Sequence, residues 1–168
     1  SPEFLSLNPN NKIPAIIDPN GPDGAPIGLF ESGAILIYLA EKSGKLIGET
    51  ATDKAKVIQW LMFQMGGLGP MFGQLGFFFK FAGAAFEDKR PQQRYLDEAA
   101  RLMAMLDQEL DGKEWVAGNY SIAKFIPNLL SLRGTLILLP VILFLGKMRW
   151  RNLISTPERF VPVAGTAV

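Results

Sequence analysis

The stretch NKIPAIIDPNGPDGAPIGLFESGAILIYLAEK, residues 11–42, decides the fold of this chain. Near its start, Ile13-Pro14 precedes a short apolar run. A segment dense in Asp, Gly and Pro follows, and after it apolar residues recur at helical spacing. A short apolar run bounded by turn residues is typical of a strand, and the dense segment is typical of a hairpin connection. The pattern predicts a strand at residues 15–17, a hairpin connection at 18–25, a second strand at 26–29 and a helix at 31–42. For this helix it predicts an end at Gly44 and an apolar face made of Ala34, Ile35, Tyr38 and Leu39.

Two features of this stretch suggest a binding site for a small peptide. An X-Pro bond becomes cis at a cost of only about 0.5–1 kcal/mol. Because Pro14 has no N–H, an extended ligand can pair with the backbone of Ile13. Ser32 falls where a helix should begin, and the free N–H groups there attract a carboxylate. Glu31 beside it can hold an ammonium group, so this pair suits the end of an amino acid.

Each feature also has a simpler interpretation. Ile13-Pro14 taken alone favours an ordinary trans proline that opens a strand. Glu31 and Ser32 are also the kind of residue that caps the N-terminus of a helix. The motifs that follow in order favour the binding site.

These motifs resemble a known family. NPNNKIPAIID followed by LFESGAILIYLAEK resembles the glutathione-binding half of the glutathione transferases. The resemblance continues through QWLMFQMGGLGPMFGQ (residues 59–74), RYLDEAARLMAMLDQEL (94–110) and WVAGNYSIA (115–123), and covers about residues 1–123. Within the family it is most similar to the bacterial Nu class, whose members reduce disulfides with glutathione.

The resemblance implies which residues bind glutathione. The residue before the cis-proline would bind the cysteinyl backbone, and the Glu-Ser pair would bind the γ-glutamyl end. A lysine before the proline would lie near the glycyl carboxylate. An arginine of the helical domain would reach glutathione as well, although a solvated surface arginine is the commoner interpretation. These roles fall on Lys12, Ile13, Pro14, Glu31, Ser32 and Arg94.

The resemblance also implies an α/β plus all-α architecture. A partial thioredoxin-like domain would span residues 1–46, and a helical domain would span residues 50–123. The first β-α-β unit of the family has no counterpart here, and that unit carries the residue that hydrogen-bonds to the glutathione thiolate. The catalytic residue is therefore unassigned.

The implied function is glutathione-dependent conjugation or disulfide reduction. It would take place in a cytoplasmic homodimer, on a small electrophilic or disulfide substrate. A glutathione-binding or regulatory fragment without activity is the alternative, because the thiol-activating residue is not assigned. A fragment that does not fold is a third possibility, because without the first β-α-β unit the neighbouring strand edge would be unpaired.

The helical part shows three further patterns. Residues 50–64 predict a helix capped by Thr52, and the glycine-rich residues 65–74 should kink it, either for close packing or as the wall of a second-substrate pocket. Five phenylalanines in residues 75–86 predict a core, a dimer interface or a pocket mouth. Residues 90–110 predict a long amphipathic helix. The predicted apolar face of the first helix comprises Ala55, Ile58, Leu61 and Met62, and that of the long helix comprises Tyr95, Ala99, Leu102, Leu106 and Leu110.

Composition excludes several classes of site. The 168-residue chain has no Cys and no His, so it can have neither a thiolate or histidine metal site nor a Ser-His-Asp triad. Its net charge of +1 gives no indication of nucleic acid. Residues 1–12 lack the apolar segment of a signal peptide. The apolar run at residues 135–145 is shorter than the roughly 20 residues that a membrane helix needs. We therefore expect no metal, nucleic-acid or membrane partner.

The charge balance changes within the chain. Residues 1–123 carry 11 basic and 15 acidic side chains, whereas residues 124–168 carry 6 and 1. The family resemblance ends at the same point, where Lys124 replaces the acid of a capping box. Our hypothesis is that residues 124–168 follow a frameshift. A second reading frame that restores family-like helices would support it, and the lack of one in any frame would contradict it.

Overall fold

The computed structural model describes residues 1–124 of the chain. In this part a short helix precedes two strands, and helices follow. A π-helical turn, Gln64–Leu68, joins two of them, and 3-10 turns lie at Ala82–Ala85 and Ile122–Lys124. The longer elements are α1 (Pro2–Leu7), β1 (Ala15–Asp18), β2 (Ile27–Phe30), α2 (Ser32–Ser43), α3 (Ala51–Phe63), α4 (Gly69–Lys80) and α5 (Arg90–Glu109).

The strands β1 and β2 form the predicted hairpin. They pair antiparallel, with Ala15 opposite Phe30 and Asp18 opposite Ile27. The side chains of both strands are half-buried or exposed, and none is buried. A single residue, Glu31, connects β2 to α2.

The helix α2 ends as predicted at Gly44, which adopts the left-handed conformation that favours glycine. The predicted apolar face is only partly correct, because Ala34 and Leu39 are exposed. The helix contacts the hairpin as well as α3, so its buried positions do not form one stripe. These buried positions are Gly33, Ile35 and Ala40.

The prediction that Thr52 caps α3 is wrong. The cap is Thr50, whose hydroxyl accepts a hydrogen bond from the Asp53 N–H at 3.1 Å, while the Asp53 carboxylate accepts one from the Thr50 N–H at 3.3 Å. This reciprocal pair is a capping box. The predicted face is also shifted: Leu61 is buried as expected, whereas Ala55 and Met62 are exposed. The buried face comprises Val57, Trp60 and Leu61.

The glycine-rich segment interrupts the helix as predicted. The amide N–H of Gly69 donates to the carbonyl oxygen of Gln64, which closes the wider π-helical turn. Such turns redirect the side chains of a helix and are frequent at functional sites. Beyond the turn, α4 ends in an aromatic cluster in which Phe78 stacks on Tyr95 of α5 with ring centroids 5.5 Å apart.

The prediction for α5 is confirmed. Tyr95 is half-buried and the four other residues of its predicted apolar face are buried. The main hydrophobic core begins at Ala40 and extends through the helices to Ala123, with Leu61, Leu75 and Leu106 among its most deeply buried side chains. Among the core residues of the described part, none comes from the hairpin.

Within residues 1–124, no helix combines the length and apolar character that crossing a membrane requires. The predictions about residues 125–168, which concern an apolar run and a change of reading frame, lie outside the described residues.

Candidate functional site

The two predicted binding motifs lie together at the open end of the hairpin. Because Ala15 pairs with Phe30, Ile13-Pro14 and Glu31-Ser32 continue the two strands from neighbouring positions. Paired Cα atoms in an antiparallel ladder are about 4.5–5.5 Å apart. The hairpin thus brings together two motifs that the turn segment separates in the sequence.

The peptide bond between Ile13 and Pro14 is cis, so the trans interpretation is wrong. The Ile13 side chain is 86% exposed. Among the hydrogen bonds of residues 1–124, none uses the backbone N–H or C=O of Ile13. An extended ligand can therefore pair with this residue without displacing a bond of the fold.

Asn8 holds the turn that precedes this residue, and sequence reasoning missed it. Its side chain is buried, with Nδ2 donating to the carbonyl oxygen of Lys12 at 2.5 Å and Oδ1 accepting from the Asn10 N–H at 2.9 Å. A buried polar side chain with its hydrogen bonds satisfied fixes local geometry. The asparagine-rich run NPNN was the available signal, since such residues bond to nearby backbone.

Glu31 and Ser32 do not cap α2, so the capping interpretation is wrong as well. Glu31 occupies the N-cap position with φ 70° and ψ 113°, and no side chain of residues 1–124 bonds to the N–H groups of the first turn. A non-glycine residue in this conformation costs about 1–3 kcal/mol, and such residues cluster at ligand sites. The free N–H groups and the helix dipole leave an anion-binding end beside the exposed Glu31 carboxylate.

The π-helical turn contacts the start of α2. The Ser32 hydroxyl donates to the Met65 sulfur at 3.7 Å. Gly33 permits this approach, because a Cβ at that position would lie 3.0 Å from Cγ of Met65. A thioether is a weak acceptor, so the hydroxyl can exchange it for a carboxylate.

The two remaining predicted residues differ in their placement. Lys12 precedes Ile13, and its exposed side chain forms no ion pair with another residue of the described part. Arg94 is exposed on α5, and no hydrogen bond or ion pair within residues 1–124 joins it to the hairpin. The structure therefore groups Lys12 with the site, whereas the role of Arg94 stays a prediction.

Comparison with known proteins agrees with this geometry. The family model for the glutathione S-transferase N-terminal domain matches residues 1–41. The crystal structure of a glutathione transferase from Pseudomonas putida, with one glutathione disulfide bound per subunit, is 51% identical, with a TM-score of 0.80. The match covers 94% of this chain and 71% of that one. The chain belongs to the glutathione transferase family. Its fold is accordingly a partial thioredoxin-like unit followed by a helical domain.

Two further relatives show the same family relationship. A glutathione transferase from Burkholderia graminis, crystallised with two glutathione molecules per subunit, is 52% identical with a TM-score of 0.73, and the match covers 95% of this chain and 73% of that one. The disulfide-bond oxidoreductase YfcG of Escherichia coli K12 is 46% identical over 130 residues. That match covers 73% of this chain and 57% of YfcG, so the chain spans little more than half the length of this curated relative.

Proposed function

We propose that this chain binds glutathione at the open end of the hairpin and uses it as co-substrate in disulfide reduction or conjugation. One observation carries the proposal: the backbone of Ile13, which forms no hydrogen bond within residues 1–124, lies beside the uncapped start of α2. Relatives support it: one is named a disulfide-bond oxidoreductase, and others were crystallised with glutathione or glutathione disulfide.

Each end of glutathione has a matching group at this site. The backbone of Ile13 pairs with the cysteinyl residue, as a strand edge pairs with a peptide. The Ser32 hydroxyl and the first N–H groups of α2 bind the γ-glutamyl carboxylate, and Glu31 binds its ammonium group. Lys12 faces the glycyl carboxylate. Arg94 is the proposed contact from the helical domain.

The proposed reaction is thiol–disulfide exchange. The glutathione thiolate attacks one sulfur of the substrate disulfide, which gives a mixed disulfide and releases a thiolate. A second glutathione thiolate attacks the mixed disulfide, which gives glutathione disulfide and releases a second thiolate. In conjugation the same thiolate forms a bond to an electrophilic carbon and displaces its leaving group, such as the chloride of a chlorinated dinitrobenzene. The group that lowers the thiol pKa is not assigned to any residue of this chain.

The proposal extends to the assembly. We place the glutathione-binding unit at residues 1–46 and the helical unit at residues 50–123. We propose a homodimer, in which exposed aromatic residues such as Phe81 supply apolar contact area. We place it in the cytoplasm, where glutathione keeps thiols reduced.

The test compares turnover of two substrates by the full chain with glutathione as the thiol. Faster reduction of a small symmetric disulfide than conjugation of a chlorinated dinitrobenzene supports the reductase, and the reverse order supports the transferase. Saturable glutathione binding without turnover of either substrate identifies a binding protein. A chain that neither binds glutathione nor turns it over contradicts the proposal.

A matched pair of variants locates the site. Glu31→Gln removes the partner of the ammonium group, so glutathione affinity should fall about tenfold, as expected for a charge-assisted hydrogen bond. Glu41→Gln changes the same residue type near the other end of α2. In the described part of the chain Glu41 bridges only to Lys54, and affinity should not change. Equal effects of the two variants would contradict the assignment.

A further inference from the structure

The hairpin and α2 form two arms that both start at the candidate site. Glu31 joins them along the chain, and the site lies at this junction. From there β1 runs away for four residues, roughly 13 Å, and Lys42 lies ten residues along α2 from Ser32, roughly 15 Å. The angle between the arms therefore sets the direction in which the first N–H groups of α2 face the backbone of Ile13.

A polar cluster joins the far ends of these arms. Asp18, the last residue of β1, accepts a hydrogen bond from the Tyr38 hydroxyl at 2.5 Å and forms an ion pair with Lys42. The ammonium group of Lys42 also donates to the carbonyl oxygen of Asn20 at 2.6 Å. We call the side chains of Asp18, Tyr38 and Lys42 the far tie.

The far tie is ordered by its own chemistry. Tyr38 and Lys42 are four residues apart on α2, so they share one face of the helix. The Asn20 N–H donates to the second oxygen of Asp18 at 2.9 Å, which orients the carboxylate toward both partners. The hydrogen bond from Lys42, with a further contribution from Tyr38, lowers the pKa of Asp18 to about 2. The carboxylate is thus fully ionised at neutral pH.

Apolar packing between the arms is thin. Within residues 1–124, no side chain of either strand is buried, and Ile35 is the one buried apolar side chain of α2 that lies outside the main core. The Asp18 side chain, by contrast, is only 13% exposed. A polar link carries more weight where little apolar surface holds two elements together.

We infer that the far tie positions the two halves of the glutathione site: Asp18, Tyr38 and Lys42 fix the angle between the hairpin and α2, and so the direction in which the start of α2 faces the Ile13 backbone. This inference rests on the proposed function. None of the three residues contacts the ligand in this account; they act through the geometry of the hairpin and α2.

The test measures glutathione affinity by calorimetry and unfolding by urea, both on the full chain. Lys42→Met removes the ion pair and should raise the Kd for glutathione roughly three- to tenfold. Lys42→Arg keeps a cation at that position and should restore the Kd to within twofold of the wild type. Tyr38→Phe removes one hydrogen bond and no charge, so it is a milder second variant if Lys42→Met fails to fold.

The matched control is Lys54→Met. Lys54 bridges to Glu41, the neighbour of Lys42 in sequence, at 2.5 Å, but this bridge joins α2 to α3 and not to the hairpin. Both lysine side chains are similarly exposed, at 42% and 44%. Lys54→Met should lower the free energy of unfolding through the loss of its own ion pair and leave the Kd unchanged. If the far tie only stabilised the fold, the Kd would not distinguish Lys42→Met from this control.

Two results overturn the inference while leaving the proposed function intact. One is wild-type affinity in Lys42→Met and Tyr38→Phe. The other is an equal loss of affinity in Lys54→Met, which would mean that any weakening of α2 has the same effect. Absence of binding by the wild-type chain would overturn both the inference and the proposed function.

Discussion

Replacing Thr50 with alanine tests how α3 begins. The Thr50 hydroxyl accepts from the Asp53 N–H at 3.1 Å and donates to the Asp53 carboxylate at 2.7 Å. Alanine removes both contacts and leaves one first-turn N–H without its cap. Loss of a threonine N-cap costs about 0.5–2 kcal/mol, typically about 1. We expect Thr50→Ala to lower the free energy of unfolding by about 1–2 kcal/mol, measured by urea denaturation followed by circular dichroism.

Thr52→Ala is the matched control. Thr52 is exposed inside α3, where alanine is the better helix former by up to about 0.7 kcal/mol. We expect this variant to be as stable as the wild type or slightly more stable. A larger loss in Thr52→Ala than in Thr50→Ala would refute the capping box and restore the assignment of the cap to Thr52.

Three further predictions concern the core, a turn and pH. Leu61→Ala should lower the free energy of unfolding by about 2–5 kcal/mol, because the side chain is fully buried. Met62→Ala, at the exposed neighbouring position, should lower it by less than about 1 kcal/mol, and similar losses for the two variants in calorimetry would contradict the burial of Leu61. Gly48→Ala should destabilise the chain in urea denaturation, since φ is +96° and a Cβ would lie 2.6 Å from Cβ of Asp53; unchanged stability would be the contrary result. The Asp18 pKa falls from 3.8 to about 2 on folding, so its ionised form stabilises the fold above about pH 4 and this contribution is lost as pH falls toward 2. The stability difference between wild type and Asp18→Asn should therefore stay constant from about pH 7 to 5 and shrink below about pH 4, and a difference that grows on acidification would contradict it.

Local signals in the sequence were sufficient for the hairpin and for the C-terminal end of α2. The turn between β1 and β2 is dense in residues that favour turns, and Gly44 adopts the left-handed conformation that ends α2. The apolar period of α5 also predicted its buried face, because a single helix face packs against the rest of the core. Such features depend on residues close together in the chain.

The features that sequence reasoning missed depend on contacts between distant residues. The buried positions of α2 follow from its packing against both the hairpin and α3, so a single stripe could not describe them. The bond from Ser32 to Met65 joins residues 33 positions apart. The far tie similarly links a strand end to a helix across the hairpin turn. Tyr38 and Lys42 stand at a spacing that places them on one face, but nothing in the sequence shows that Asp18 lies opposite them.

The most direct test of the account is a calorimetric titration of glutathione into the wild-type chain and two serine variants. Ser32 lies at the start of α2, where its hydroxyl is proposed to bind the γ-glutamyl carboxylate, whereas Ser43 ends the same helix and bonds to the carbonyl oxygen of Ala40 at 3.2 Å. We predict saturable binding to the wild type, an affinity about tenfold weaker in Ser32→Ala, and no change in Ser43→Ala. No saturable binding to the wild type, or an equal affinity in all three proteins, would contradict the account.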